Sequence, residues 1–160
     1  MRQKTGSRLD PTDKKILTLL QEDASLSLQE IAKKVNLSPT PCWRRIQQLR
    51  SHGVIRRQVA ILDPAAVNVP IVVFVTIKTN QHHAAWLDRF ARGVAELDEV
   101  VEFYRMSGDV DYLLRVVVPD IAGYDMFYKK LIKTAELFDV SSSFAMEQIK
   151  FTTALPLNYA

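Results

Sequence analysis

Residues 38–50, SPTPCWRRIQQLR, gather side chains whose chemistry suits the edges of base pairs. Arg and Gln each offer two hydrogen-bonding groups in a fixed fork, matching guanine and adenine in the major groove, and a Thr methyl suits thymine. At ~100° per residue of helix, Cys42, Ile46 and Leu49 fall on one side. Thr40, Arg44, Gln47 and Gln48 fall opposite, with Pro41, Trp43 and Arg45 on the flanks. Ser38 stands at the N-cap with Pro39 behind it, so free backbone N–H groups there can meet a phosphate. Arg50, Arg56 and Arg57 supply cations for sequence-independent phosphate contacts. The single cysteine, Cys42, lies on the core side, where it fills space; one cysteine forms no internal disulfide, which fits a reducing cytosol.

A second chemical cluster is Met106-Ser107-Gly108-Asp109-Val110-Asp111. Backbone N–H groups around a glycine can take a carboxylate, and a carboxylate such as Asp111 can pair with an ammonium. The same residues also read as hairpin turn chemistry, and the residues alone leave the two readings level. Nothing points to catalysis. His52, His82 and His83 have no carboxylate or cysteine at metal-ligand or triad spacing, and no phosphate- or dinucleotide-binding glycine motif occurs. No cofactor is expected.

The elements that must position these groups fall into two halves. Residues 1–60 hold 12 Lys and Arg against 5 Asp and Glu, and residues 61–160 hold 9 against 13, so the net +3 conceals a basic half joined to an acidic one. The basic half suits a polyanion. Residues 1–8 read as a flexible tail. Asp10 and Pro11 open a first helix running to about Glu22; Ser27 and Glu30 form the capping box of a second; Asn36 supplies the left-handed turn; Gly53 stops the third. Residues 9–53 are therefore a helix-turn-helix, and residues 54–70 a linker with a short strand and a turn at Asp63-Pro64.

Residues 71–160 change period. Strands are expected over Ile71–Ile77, Val100–Met106, Tyr112–Val118 and Val140–Thr152, and helices over Ala84–Leu97 and from Asp120 through Leu131. The order βαββαβ is the ferredoxin-like arrangement, making the whole chain α+β. Its helices cover one sheet face, yet the strands at 71–77 and 112–118 are apolar on both sides; a second copy of the chain is the expected cover. No segment has the ~20 apolar residues of a membrane span, so membrane partners are not expected.

From Leu9 to about Leu157 the chain resembles the Lrp/AsnC, or feast/famine, family. The resemblance is carried by LDPTDKKILTLLQEDASLSLQEIAKKVNLSPTPCWRRIQQLRSHGVI, by SGDVDYLLRV and by SSFAMEQIKFTTALPL. It implies a winged-helix-type DNA-binding domain and a βαββαβ effector and assembly domain. Homodimers formed through the sheets and often assembled into octamers are implied, with double-stranded DNA and an amino acid as partners, in the cytoplasm at the nucleoid. TPCWRR and SSFAMEQIK look most like a proteobacterial branch associated with cysteine response; leucine and methionine are the neighbouring effectors. The resemblance places the effector between dimers, at Met106, Ser107, Gly108, Asp109 and Asp111, bordered across the interface by Ser142, Ser143, Phe144 and Ala145. The rival to a metabolite-sensing regulator is a DNA-architectural protein that senses nothing.

Overall fold

A computed structural model describes residues 9–81 and 83–160. The expectations for residues 1–8 and for His82 lie outside the described residues. The chain divides into two compact units: residues up to Ala60 together with Lys150–Ala160, and Ile61–Ile149.

In the first unit, α1 spans Pro11–Glu22, α2 Leu28–Lys34 and α3 Pro39–Ser51. Asp10 caps α1 by accepting the Asp13 N–H (2.8 Å), and Asp13 reaches back to the Asp10 N–H (3.4 Å). Ser27 and Glu30 do the same for α2, with Ser27 N–H donating to Glu30 Oε2 at 2.8 Å. These reciprocal caps satisfy donors that have no partner inside the helix. Asn36 is left-handed (φ 58°) at the α2–α3 turn, and Gly53 (φ 75°) ends α3. Ile16 and Leu17 of α1, Ile31 and Ala32 of α2, and Cys42, Ile46 and Leu49 of α3 share one apolar core.

That core also receives Leu157 from the far end of the chain. Gln21 clips the neighbouring backbone twice: its Oε1 accepts the Leu155 N–H (2.7 Å) and its Nε2 donates to the Leu155 carbonyl (3.3 Å).

In the second unit, β1 is Ile71–Lys78, α4 Ala84–Ala95, β2 Val100–Arg105, β3 Tyr112–Val118, α5 Ile121–Leu131 and β4 Asp139–Phe144. The sheet is antiparallel in the order β2-β3-β1-β4, the ferredoxin-like topology expected. Period-two alternation puts Val73, Val75 and Ile77 of β1 and Leu114, Val116 and Val118 of β3 under Trp86, Phe90, Val94, Phe127 and Leu131 of the two helices. Trp86 and Phe90 stack with centroids 5.0 Å apart, and Phe90 meets Tyr112 edge-on at 5.2 Å.

The opposite sheet face carries Val72, Phe74, Leu113 and Val117, with Phe74 39% exposed, beside an Arg115–Glu102 ion pair at 2.8 Å.

Two expectations are corrected. Residues 54–70 form no strand among the described residues; after Val54 and Ile55 donate back to the Leu49 carbonyl, the chain turns at Asp63–Asn68, with Val69 N–H donating to Pro64 O at 2.8 Å. A strand needs a ladder partner, and the backbone of 56–62 pairs with none among the described residues of one chain. The last strand, expected to reach Thr152, ends at Phe144. Its ladder closes with Ala145 N–H on Val72 O (2.9 Å), and β1 begins just after Pro70, which has no N–H to extend the pairing.

Candidate nucleic-acid interface and ligand site

Helix α3 is held from three sides. Its apolar residues Cys42, Ile46 and Leu49 are 0–6% exposed in the core, and burial pushes the Cys42 thiol up from its ordinary range. On the outer side Thr40, Pro41, Arg44, Gln48 and Arg50 stand in water, with Ser38 at the N-cap. The Ser38 hydroxyl makes no bond to the helix, leaving the first-turn N–H groups without a side-chain cap. Arg56 and Arg57 are exposed beyond Gly53.

Not all the expected residues share that open face. Gln47 is half-buried and, with Trp43 and Arg50, lines a cavity of about 240 Å³ floored by Leu20, Leu28, Ile31 and Ile46. Trp43 is nevertheless 51% exposed. Arg50 donates to Gln58 Oε1 at 2.7 Å, which orients the guanidinium.

Arg45 leaves the outer face altogether: its Nη1 donates to Asp10 Oδ2 at 2.5 Å and to Asp13 Oδ1 at 2.8 Å. The Asp10 carboxyl is held below its ordinary value, first by the Asp13 backbone N–H and then by Arg45, while the two carboxylates raise Arg45 in turn. Neither the Arg45 ion pairs nor the Gln58 bridge is marked in the sequence, because each joins side chains of different elements with no periodic signal.

At the hairpin, Gly108 adopts φ 119°, a conformation that favours glycine, with open space where a side chain would lie. Met106, Ser107 and Asp109 are exposed around it. Asp111 is partly buried and structurally tied: Oδ2 accepts the Thr79 N–H (2.8 Å), its N–H donates to Ile77 O (3.0 Å) and its carbonyl accepts Met106 N–H (2.8 Å). One carboxylate thus locks the β2–β3 hairpin to the end of β1 and keeps its second oxygen without a protein partner among the described residues.

The other expected ligand residues lie on the opposite edge of the sheet. Ser142, Ser143 and Phe144 pair with Val75, Phe74 and Val73 on β4, two strands from the hairpin edge, so one copy of the chain does not bring the two sets together. Ser142 turns toward the helices, where its hydroxyl bonds to the Tyr124 hydroxyl, and Phe144 packs edge-on against the Tyr124 ring at 5.1 Å. Burial raises the Tyr124 hydroxyl, the Ser142 bond partly offsetting it. Ser143, on the alternate register, faces the open side with Phe74, and Ala145 follows as the last residue of the ladder. No helix among the described residues is long and apolar enough to cross a membrane.

Comparison with known proteins gives this arrangement its context. Residues 9–56 match the winged helix-turn-helix DNA-binding model, and residues 72–155 match the Lrp/AsnC ligand binding domain. The chain is 50% identical over 150 residues to the DNA-binding transcriptional activator DecR of Escherichia coli, covering 93% of this chain and 99% of that protein. A crystal structure of an AsnC family transcriptional regulator from Agrobacterium tumefaciens superposes with a TM-score of 0.92 at 64% identity, over 94% of this chain and 99% of that one. A transcriptional regulator from Neisseria meningitidis, solved in complex with L-Met, superposes with a TM-score of 0.89 at 36% identity, over 94% and 98% of the two chains.

Proposed function

The chain belongs to the Lrp/AsnC family of transcription regulators, and from that premise we propose that it reads double-stranded DNA through α3 and alters that binding, or its own assembly, when an amino acid binds. The observation that carries the reading is the division of α3 into a buried seam and an open face. Thr40, Arg44 and Gln48 stand in water on a helix within a half carrying 12 cations against 5 anions. Phosphate contacts from Arg50, Arg56 and Arg57 hold the register, and base edges supply the discrimination.

The effector is an α-amino acid of the cysteine, leucine or methionine type. The N–H groups around Gly108 receive its carboxylate, and the second Asp111 oxygen receives its ammonium. Ser143 and Ala145 of a second copy border the site; Ser142, committed to Tyr124, acts by shaping the strand. Homodimers form through the open face of Val72, Phe74, Leu113 and Val117, and dimers assemble further, toward octamers. The protein works where the chromosome is, in the cytoplasm. The related Neisseria regulator in complex with L-Met supports an amino-acid effector.

The test is calorimetry of the full chain with a panel of amino acids. A mobility-shift titration with the panel, on duplexes recovered by in vitro selection, accompanies it. One member giving heat and shifting the DNA curve or the oligomer size supports the proposal. A panel with neither effect leaves a DNA-architectural protein instead.

A further inference from the structure

Two adjacent arginines in α3 meet opposite fates. Arg44 is exposed, with no side-chain hydrogen bond or ion pair among the described residues, whereas Arg45 spends its Nη1 on two carboxylates of α1. From this contrast we infer that Arg45 is a positioning residue: it clamps the recognition helix to the N-terminus of α1 and so sets the angle at which Thr40, Arg44 and Gln48 meet base edges.

The anchor is rigid. Asp10 and Asp13 are each already fixed by the other's backbone N–H in the capping box, so Arg45 grips the helix end itself rather than two loose side chains. The Asp13 and Arg45 side chains are 20% and 33% exposed against 44% for Asp10, so solvent screens the Asp13 arm of the clamp least. Below the clamp, Ile16 and Leu17 of α1 share a core with Cys42, Ile46 and Leu49 of α3. Apolar contact resists separation of the helices but resists their rotation weakly, because it is non-directional. Two charge-assisted bonds from Nη1 at the far flank, one to each carboxylate, supply the missing angular constraint. The cluster of one cation and two anions carries no positive charge for a phosphate, so Arg45 adds nothing to non-specific attraction.

The inference rests on α3 being the reading helix, and an Arg44→Ala chain tests that separately. Binding is measured on the strongest duplex from in vitro selection and on a scrambled duplex of equal length, over a salt series. The chains are wild type, Arg45→Gln, Asp10→Asn with Asp13→Asn, all three changes together, and Arg45→Lys. Asn retains capping ability at Asp10.

The clamp predicts that the selected-to-scrambled affinity ratio falls about tenfold in Arg45→Gln and equally in the Asp10→Asn/Asp13→Asn chain. The combined chain should fall no further, since one network has been broken twice. The salt slope on the scrambled duplex stays at the wild-type value in Arg45→Gln. The inference is overturned if the Asp10→Asn/Asp13→Asn chain keeps the wild-type ratio, or if Arg45→Gln flattens the salt slope as a lost phosphate contact would. Should a variant not fold, Arg45→Lys decides: it keeps the charge but ends one atom short of Nη1 and cannot reach both carboxylates from the same backbone, so an intermediate ratio supports the clamp and a wild-type ratio refutes it. An Arg44→Ala chain with an unchanged ratio would instead remove α3 from the reading role and leave the clamp without a function.

Discussion

Asp111→Asn separates the structural duty of this residue from its proposed duty to the effector. The carboxylate accepts the Thr79 N–H at 2.8 Å, and Thr79 is only 7% exposed, so that donor must keep a partner. Asparagine keeps an acceptor there and loses only charge assistance, which costs about 1 kcal/mol of stability, the gap between charged and neutral bonds. The backbone bonds of Asp111 to Ile77 and Met106 do not involve the side chain and persist. Asp111→Ala, in contrast, strands the Thr79 N–H and is expected to cost roughly 1–3 kcal/mol. Toward the ligand the order changes: losing a charged partner for an ammonium costs about 1.5–3 kcal/mol in either variant, ten- to a hundred-fold in affinity. Linkage carries the same factor into the effector concentration that shifts DNA binding or oligomer size. Thermal melts read the first duty; calorimetry and mobility shifts with cysteine, leucine and methionine read the second. If Asp111→Asn responds at the wild-type effector concentration, the second oxygen holds no ammonium and the reasoning is wrong.

Arg44→Ala should lose about 1–3 kcal/mol of discrimination at a single base pair, whereas Arg56→Ala should weaken selected and scrambled duplexes alike and reduce the salt slope by about one; affinity series on single-base variants distinguish them. Leu157→Ala should destabilise the helix-turn-helix by roughly 1–2 kcal/mol, below the cost of a fully buried leucine because Leu157 is only partly covered; a melt followed by Trp43 fluorescence in a Trp86→Phe background measures it, with oligomer size unchanged. Asp10 is held below its ordinary pKa of 3.8, so its contribution is complete above that value and is lost as pH falls through the lower, folded value. Acid unfolding of the helix-turn-helix should therefore show a component below about pH 4 that disappears in Asp10→Asn.

The sequence announced whatever is local. Caps at Asp10, Ser27 and Asp120, the left-handed Asn36 and the 2.0 and 3.6 periods located both helices-with-turns and the βαββαβ order, because each signal sits within a few residues of what it dictates. It was also enough to place Cys42, Ile46 and Leu49 inward and Arg44 outward. The helical wheel could not show that Arg45 would be taken by α1 or that Gln47 would line a cavity, since the angle alone does not say which neighbour occupies a flank. The sequence does not mark which of two neighbouring serines faces which way: the register of β4 against β1 turns the Ser142 hydroxyl to Tyr124 while Ser143 faces the open side. A one-residue shift of register would exchange the two, and the register is set by which face of β1 is apolar.

The Gln21–Leu155 clip joins residues 134 positions apart, and Leu157 enters the core that α1, α2 and α3 build. During translation, α1, α2 and α3 therefore leave the ribosome well before the residues that pack over one side of their core. Until then that core lacks the leucine contributed by Leu157. A chain interrupted after β4 therefore holds its complete sheet, while its helix-turn-helix lacks the Gln21–Leu155 clip and the Leu157 contact.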